Sequence, residues 1–281
     1  MSQIVLVHGI GQQLKGPESL LAYWYPALCD GWLLAGGDVP CADASVAFYG
    51  DLFRPKGGRG LDGPLLDASD VMDPDDSEWL RAWWEEAARL ESAVPGPTDP
   101  GRTRAPQWIQ RALDALSHSA FFAGCSEHLM ISGVRQVRLY LTESLTRQAV
   151  RERVTACVTH DTRVIVAHSL GSVVAYEALS ASPKLSGISL VTLGSPLGIR
   201  NLVFDRLEPP PVAGRGLWPG SAVRWTNIAD QGDIVALNKQ LSALFGGRIT
   251  DVLVHNGAKA HDVRPYLTAK ETGQAIAEGL S

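Results

Sequence analysis

Six short apolar runs, separated by longer helical patterns, constrain the fold of this chain most strongly. The runs lie at residues 4–7, 45–49, 164–167, 188–193, 222–228 and 249–254. Their apolar character is nearly continuous, which is typical of parallel strands that are covered on both faces. Helical patterns lie at residues 17–34, 134–158, 172–180 and 266–279. This alternation predicts a single α/β domain over residues 1–281, built on a doubly wound, mostly parallel sheet.

One long segment, residues 51–132, interrupts this alternation and is too long for a simple crossover loop. Asp75 and Glu78 have the spacing of a capping box at the start of a helix. Apolar side chains then form one face of that helix, at positions 79, 80, 83, 84, 87 and 90. A second helix is predicted from Gln107 towards Phe122. We interpret this segment as a helical insertion that caps the active-site edge of the sheet like a lid. The alternative is that it only packs against the flank of the sheet and extends the fold.

The composition disfavours several classes of partner. The net charge is −5 and basic residues are not clustered, so no nucleic-acid partner is expected. No apolar run of about 18 residues is present, so no transmembrane segment is expected. The first apolar run follows Met1 without a basic leader, which favours a cytoplasmic protein. The four cysteines form no CxxC pair and the histidines no HExxH motif, so reduced thiols and no metal or other cofactor are expected.

Ser169 lies where an apolar run ends and a helical pattern begins. The sequence AHSLG at residues 167–171 matches the Gly-x-Ser-x-Gly pattern of a nucleophile elbow, with Ala167 in place of the first glycine. Small residues are needed beside the serine because the strand-to-helix turn is strained and crowded. The pattern predicts that Ser169 is a catalytic nucleophile; the alternative is a serine in an ordinary turn between a strand and a helix.

A serine nucleophile needs a general base and an acid that orients the base. Asp230 and Asp233 both follow the run at residues 222–228. We favour Asp233, because a turn-forming glycine precedes it and apolar residues that can bury it follow. Asp230 is the alternative, or it bonds backbone N–H groups in the turn. His261 lies in a loop after the last apolar run and is the predicted base, whereas His255 continues the strand alternation and is predicted to be structural.

Backbone N–H groups are expected to stabilise the oxyanion of the reaction. One should come from Leu170, the residue after the nucleophile, and the other from the glycine-bearing loop after the first apolar run. Ile10 or Gly11 can provide the second N–H group, and we favour Ile10. The alternative is a glycine-rich turn without a catalytic role. A nucleotide site is disfavoured because the loop lacks both the GxGxxG and the GxxxxGK[ST] patterns.

Five of these segments together resemble the α/β-hydrolase superfamily, and within it the lipase/esterase-like branch. They are VLVHGIG at residues 5–11, AHSLG at 167–171, LGSPLG at 193–198, DIV at 233–235 and His261. Lipases of this branch carry the catalytic acid in a similar Asp-Ile-Val turn, and an aromatic residue such as Tyr266 often follows their histidine. The resemblance implies an α/β-hydrolase core that lacks the first two strands. Ala167 departs from the usual glycine, and residues 51–132 match nothing in the family.

The expected function is hydrolysis of carboxylic esters through an acyl-enzyme intermediate, as in lipases, esterases and lysophospholipases. The substrate is expected to be a small-molecule or lipid-like acyl compound, because the insertion is rich in tryptophan. The alternative is that these tryptophans, which have helical spacing, belong to the hydrophobic core. One alternative is a peptidase or amidase with the same triad, which the sequence does not exclude. Another is a non-catalytic binding or effector module on a hydrolase fold.

Overall fold

Six parallel strands form one sheet in the computed structural model, which describes residues 2–38, 41–54, 74–97, 105–119, 127–220, 222–246 and 248–281. In chain order the strands are β1 (Ile4–Val7), β2 (Ala44–Ala47), β3 (Val164–His168), β4 (Ser189–Leu193), β5 (Arg224–Asp230) and β6 (Thr250–Val254). Their order across the sheet is β2-β1-β3-β4-β5-β6. All six predicted strands are present, and their ends differ from the prediction by no more than two residues.

Helices connect the strands and cover the sheet. They are α1 (Pro17–Leu34), α2 (Pro74–Leu90), α3 (Ala105–Ser117), α4 (Glu127–Thr142), α5 (Ser144–Cys157), α6 (Leu170–Ala181), α7 (Ser242–Phe245), α8 (Val263–Thr268) and α9 (Lys270–Leu280). Short 3₁₀ turns lie at Gly50–Phe53, Pro183–Leu185, Phe204–Arg206 and Gly257–Lys259. None of the helices in the described ranges is long and apolar enough to cross a membrane.

Alternate residues of the four inner strands enter separate cores on the two faces of the sheet, as the two-residue period of a strand requires. Val5 and Ile165 pack on one face with helices α2 to α6. Ile4 and Val164 pack on the other face with α1, α8 and α9. Both cores draw on the same strands, so β1 and β3 are apolar along almost their whole length. The predicted α/β fold with a parallel sheet and helices on both faces is therefore confirmed.

Two predicted helices are each divided in the structure. The pattern at residues 134–158 forms α4 and α5, separated by Glu143 in an extended conformation. The division has a packing reason, because α4 contacts α2 and α3, whereas α5 turns to contact α6 and β2. Likewise, the pattern at residues 266–279 forms α8 and α9, separated by the extended Ala269.

The helices in the described part of the predicted insertion are α2, α3 and the start of α4, besides the 3₁₀ turn at Gly50–Phe53. Trp79, Trp83 and Trp84 are buried in the same core as the side chains of β1 and β3. The apolar stripe of α2 is therefore core. Residues 55–73, 98–104 and 120–126 lie outside the described residues, as does the side chain of Asp75 in the predicted capping box. The predicted boundary at residue 132 falls inside α4, and the cap-like role of the insertion stays a prediction.

A buried ion pair joins α5 to α6, the helix that begins after Ser169. Arg147 donates to both carboxylate oxygens of Glu177, at 2.8 Å from Nε to Oε2. The side chains are 6% and 0% exposed. Tyr140 of α4 also donates to Glu177 Oε2, at 2.6 Å, and the N–H of Glu208 donates to Oε1 at 3.1 Å. This buried carboxylate is thus fully hydrogen-bonded, as its removal from water requires.

Candidate active site

The predicted site residues follow strands whose carboxyl ends meet at one edge of the sheet. Ile10 follows β1, Ser169 follows β3, Asp233 follows β5 and His261 follows β6. Because every strand is parallel, these loops share that edge, where ligands of open α/β sheets bind. The strand order also places β4 between β3 and β5, so its loop at Gly194 separates the Ser169 loop from the Asp233 loop.

Ser169 has an uncommon backbone conformation. Its φ is 54° and its ψ is −131°, a region that costs free energy for a residue other than glycine. The turn is held by Ser169 N–H, which donates to Leu193 O at 3.0 Å, and by Ser172 Oγ, which donates to Ser169 O at 2.6 Å. The strain at Ser169 is what a nucleophile elbow requires.

Two glycines make room for this turn. A Cβ atom at Gly9 would lie 2.6 Å from Ser169 Cβ and 3.1 Å from Ser169 Oγ. A Cβ atom at Gly171 would lie 2.4 Å from His8 O. The first loop and the serine turn therefore pack directly against each other, and any side chain at residue 9 would displace the serine.

His261 and Asp233 form a short, buried hydrogen bond. His261 Nδ1 lies 2.7 Å from Asp233 Oδ2, and the two side chains are 9% and 0% exposed. The N–H groups of Val235 and Ala236 donate to Asp233 Oδ1 at 2.9 and 3.3 Å. Burial opposes ionisation of Asp233, but the charge of His261 and these hydrogen bonds outweigh it and lower the pKa of the carboxyl group to about 2. Asp233 is therefore an ionised partner for the imidazole.

Tyr266 contacts both Asp233 and Asp230, the two candidates for the acid that orients the base. Its hydroxyl donates to Asp233 Oδ2 at 2.8 Å and accepts from the N–H of Asp230 at 2.8 Å. A Cβ atom at Gly194 would lie 2.6 Å from Asp233 Oδ2 and 3.0 Å from His261 Nδ1, so only glycine leaves space for the pair. The predicted aromatic residue after the histidine thus contacts the carboxylate itself.

Asp230 has a different environment from Asp233. Its Oδ1 accepts from the N–H of Gly232 at 2.7 Å, and its Oδ2 accepts from the N–H of Asn256 at 2.5 Å. The nearest imidazole nitrogen of His255 is 3.9 Å away, on a side chain that is 90% exposed. The structure therefore brings Asp233 to His261, whereas Asp230 joins the loops after β5 and β6.

Ser169 and His261 line one pocket, with a volume of about 280 Å³. Among the described residues, no hydrogen bond joins Ser169 Oγ to the His261 ring. Such bonds are often long without a bound substrate and become shorter in the complex. The tryptophans of α2 do not line the described walls of this pocket; its indole comes from Trp24 of α1.

Two backbone N–H groups are available beside Ser169. In the described ranges, neither the N–H of Ile10 nor that of Leu170 has an acceptor. The N–H of Gly11 instead donates to Oε1 of Gln136, at 3.2 Å. Of the two donors considered in the first loop, Ile10 is thus the one that a bound oxygen can reach without breaking a hydrogen bond.

Two further histidines are buried around the site and are neutral at pH 7. His8 Nε2 accepts from the N–H of Tyr49 at 3.1 Å, so its Nδ1 carries the proton and donates to Gly9 O at 2.7 Å. Burial lowers the pKa of His8 to about 4. His168 Nε2 donates to His261 O at 2.9 Å. Burial, and secondly the nearby His261, lowers the pKa of His168 to about 3.

Sequence reasoning missed Gln136 and Lys239. Buried Gln136 of α4 ties that helix to the first loop, since its Nε2 donates to Gln13 Oε1 at 3.1 Å. Lys239 Nζ donates to the carbonyl of Asp233. A polar residue on the apolar face of α4 is the one signal that could have indicated Gln136; nothing in the local sequence of Lys239 indicates its contact.

The part of the chain that the structure describes contains no cluster of three or more His, Cys, Asp or Glu side chains that could hold a metal ion. No protein-family model matches the chain, and the searches of curated proteins and of solved structures found no match either. The candidate site therefore has to be interpreted from its own geometry.

Proposed function

We propose that this protein is a serine hydrolase that cleaves carboxylic esters through an acyl-enzyme intermediate. The observation that carries the proposal is the buried His261–Asp233 hydrogen bond, in a pocket that His261 shares with the strained Ser169. Nucleophile, base and orienting acid follow β3, β6 and β5, and their chain order of Ser, Asp and His is that of the α/β-hydrolases. We therefore propose that the sheet is a hydrolase core without the first two strands of that family.

In the first step, Ser169 Oγ attacks the ester carbonyl carbon while His261 Nε2 takes the hydroxyl proton. Asp233 holds the proton on Nδ1 and stabilises the positive charge that the ring acquires. The carbonyl oxygen becomes negative and accepts from the N–H groups of Ile10 and Leu170. His261 then returns the proton to the departing alkoxide, which leaves as the alcohol, and Ser169 carries the acyl group.

In the second step, water attacks the acyl-enzyme and gives its proton to the same nitrogen of His261. The second tetrahedral intermediate collapses, the C–O bond to Ser169 breaks, and the proton returns to Ser169 Oγ. The products are the carboxylic acid and the free enzyme. The neutral His168 contributes by position, because it holds the carbonyl of His261 and so fixes the loop from which the imidazole extends.

Labelling with a small alkyl fluorophosphonate tests the proposal directly. The wild-type protein should label and should hydrolyse 4-nitrophenyl butyrate, whereas Ser169→Ala should do neither. Ser186→Ala, which changes an exposed serine, is the matched control and should label like the wild type. Asp233→Asn should slow labelling far more than Asp230→Asn. A folded wild-type protein that does not label, or labelling that persists in Ser169→Ala, would overturn the proposal. Butyryl 4-nitroanilide in the same assay separates ester from amide cleavage.

A further inference from the structure

Two charged residues line the Ser169 pocket, and together with Tyr23 they define what we call its mouth. They are Lys15, from the loop before α1, and Asp262, from the loop before α8. Tyr23 lines the same pocket and is 43% exposed. Residues of the first loop, Trp24 and Val263 also line this pocket. The pocket that contains Ser169 therefore also contains an ammonium group.

Lys15 is held in place by its backbone and by an aromatic ring. Its N–H donates to Gln12 O at 3.0 Å, and its carbonyl accepts from Arg54 Nη2 at 3.2 Å. Its ammonium group lies 5.4 Å from the centroid of the Tyr23 ring, within the range of a cation–π contact. The side chain is thus directed to the pocket mouth before any substrate binds.

The positive charge of Lys15 is not matched locally. No carboxylate of a described residue forms an ion pair with Lys15. Asp262 is engaged elsewhere, since it caps α8 by accepting from the N–H of Arg264 at 2.9 Å and lies 3.7 Å from Arg264 Nε. The Arg264 guanidinium lies 4.5 Å from the Tyr23 centroid and balances Asp262, which leaves the charge of Lys15 in excess. The mouth therefore attracts negative charge.

The volume of the pocket restricts the substrate as well. About 280 Å³ is slightly less than the usual range of small-molecule sites, so a compact ester fits better than a long acyl chain. The buried tryptophans of α2 cannot extend the pocket without leaving the core.

We propose that the ester cleaved at Ser169 is small and carries an anionic group, a carboxylate or a phosphate, which pairs with Lys15 at the pocket mouth. This inference rests on the proposed hydrolase function and adds the substrate class. Lys15 is a specificity-determining residue: it touches the charged end of the substrate and takes no part in the proton transfers. The anion can belong to the acyl part or to the alcohol part, and either position places it beside the same ammonium group.

Matched pairs of charged and neutral esters test the proposal. For the acyl part, 4-nitrophenyl hemiglutarate is compared with 4-nitrophenyl butyrate; for the alcohol part, 4-acetoxybenzoate is compared with phenyl acetate. We expect the wild-type protein to prefer the anionic member of at least one pair. Lys15→Ala should lower kcat/KM for that substrate by about two- to fivefold, which is the size of an exposed ion pair, and leave the neutral ester unchanged. Lys15→Glu should reverse the preference. Lys270→Ala, which removes another exposed lysine, should change neither.

Fluorophosphonate labelling distinguishes a failure of the anionic-substrate proposal from a failure of the proposed hydrolase function. A wild-type protein that labels at Ser169 but hydrolyses neutral esters as well as anionic ones in both pairs would overturn the anionic-substrate proposal alone. Equal losses on charged and neutral esters in Lys15→Ala would overturn it too, since they indicate a structural role. A folded wild-type protein that neither labels nor hydrolyses any of the four esters would overturn both the substrate proposal and the proposed hydrolase function.

Discussion

The hydroxyl of Tyr266 donates a hydrogen bond to Asp233 Oδ2 over 2.8 Å, and both side chains are fully buried. The same oxygen accepts from His261 Nδ1. Tyr266 therefore constrains the carboxylate that orients the proposed base, while its own hydroxyl is fixed by the N–H of Asp230. In the proposed reaction Tyr266 is a positioning residue that acts through Asp233.

We expect Tyr266→Phe to lower kcat by about tenfold with little change in KM, because the imidazole loses orientation while the pocket keeps its shape. The variant should also lose about 1–2 kcal/mol of stability, since the N–H of Asp230 is left buried without an acceptor. Steady-state kinetics and urea unfolding measure the two effects. Tyr25→Phe, which removes a hydroxyl bonded to Cys41 O away from the pocket, is the matched control. Unchanged kcat in a folded Tyr266→Phe variant would contradict the positioning role.

The packing of Gly9 against Ser169 predicts a large effect of a single methyl group. In Gly9→Ala the new Cβ would lie 2.6 Å from Ser169 Cβ, so the serine turn or the first loop must move. A displacement near 1 Å at a nucleophile lowers the rate by about 100-fold. The rate of fluorophosphonate labelling measures this loss. Gly16→Ala in the same loop adds a methyl group in open space and should label like the wild type. Equal labelling rates in both variants would show that the loops adapt.

Buried neutral histidines predict a loss of stability in mild acid. The pKa values of His8 and His168 fall from 6.5 to about 4 and about 3 on folding. Between these values and 6.5 the unfolded chain binds more protons than the folded one, so stability falls as the pH falls below 6.5. Asp233 adds a further loss only below its unfolded value of 3.8, as the pH approaches about 2. From about pH 7 to about pH 5, each histidine should cost about 2 kcal/mol.

Urea unfolding at the two pH values measures this dependence, provided that the m values agree. His168→Gln keeps a donor near the carbonyl of His261 but does not titrate, so the variant should lose about half of the acid effect. His255→Gln changes an exposed histidine and is the control. A wild-type stability that is equal at both pH values would contradict the neutral burial of His8 and His168.

The buried carboxylate of Glu177 predicts a stability effect remote from the pocket. Arg147→Met leaves that carboxylate without its main partner, and we expect a loss of about 3–5 kcal/mol. Glu86→Gln, at an ion pair whose arginine is 63% exposed, should cost less than about 1 kcal/mol. Thermal and urea unfolding of the two variants gives the comparison. Equal losses of stability in the two variants would mean that water solvates the Glu177 carboxylate when Arg147 is removed.

The strands were predictable because a parallel strand covered on both faces is continuously apolar, as at residues 164–167. A helix with one buried face instead shows apolar residues only every three or four positions. The breaks between helices were not predictable from the sequence. Their positions, at Glu143 and Ala269, depend on which neighbouring elements the helices on either side pack against. At the candidate site, local turn chemistry placed Ser169, Asp233 and His261 at the edge of the sheet. The contact of Gln136 with Gly11 joins residues 125 positions apart, and the contact of Lys239 turns back within one loop, so both partners follow only from the assembled fold.

The register of the sheet has a consequence for biosynthesis. Ile4 of β1 pairs with Ala44 of β2 on one side and with Val164 of β3 on the other, which follows 160 residues later. At about 5–20 residues per second, a ribosome needs roughly 10–30 s to deliver that second partner. During this time one edge of the apolar strand β1 is open to pairing with other nascent chains. We therefore expect the yield of soluble protein to depend on synthesis rate and on chaperones that cover short apolar strands, more than the stability of the finished fold would suggest.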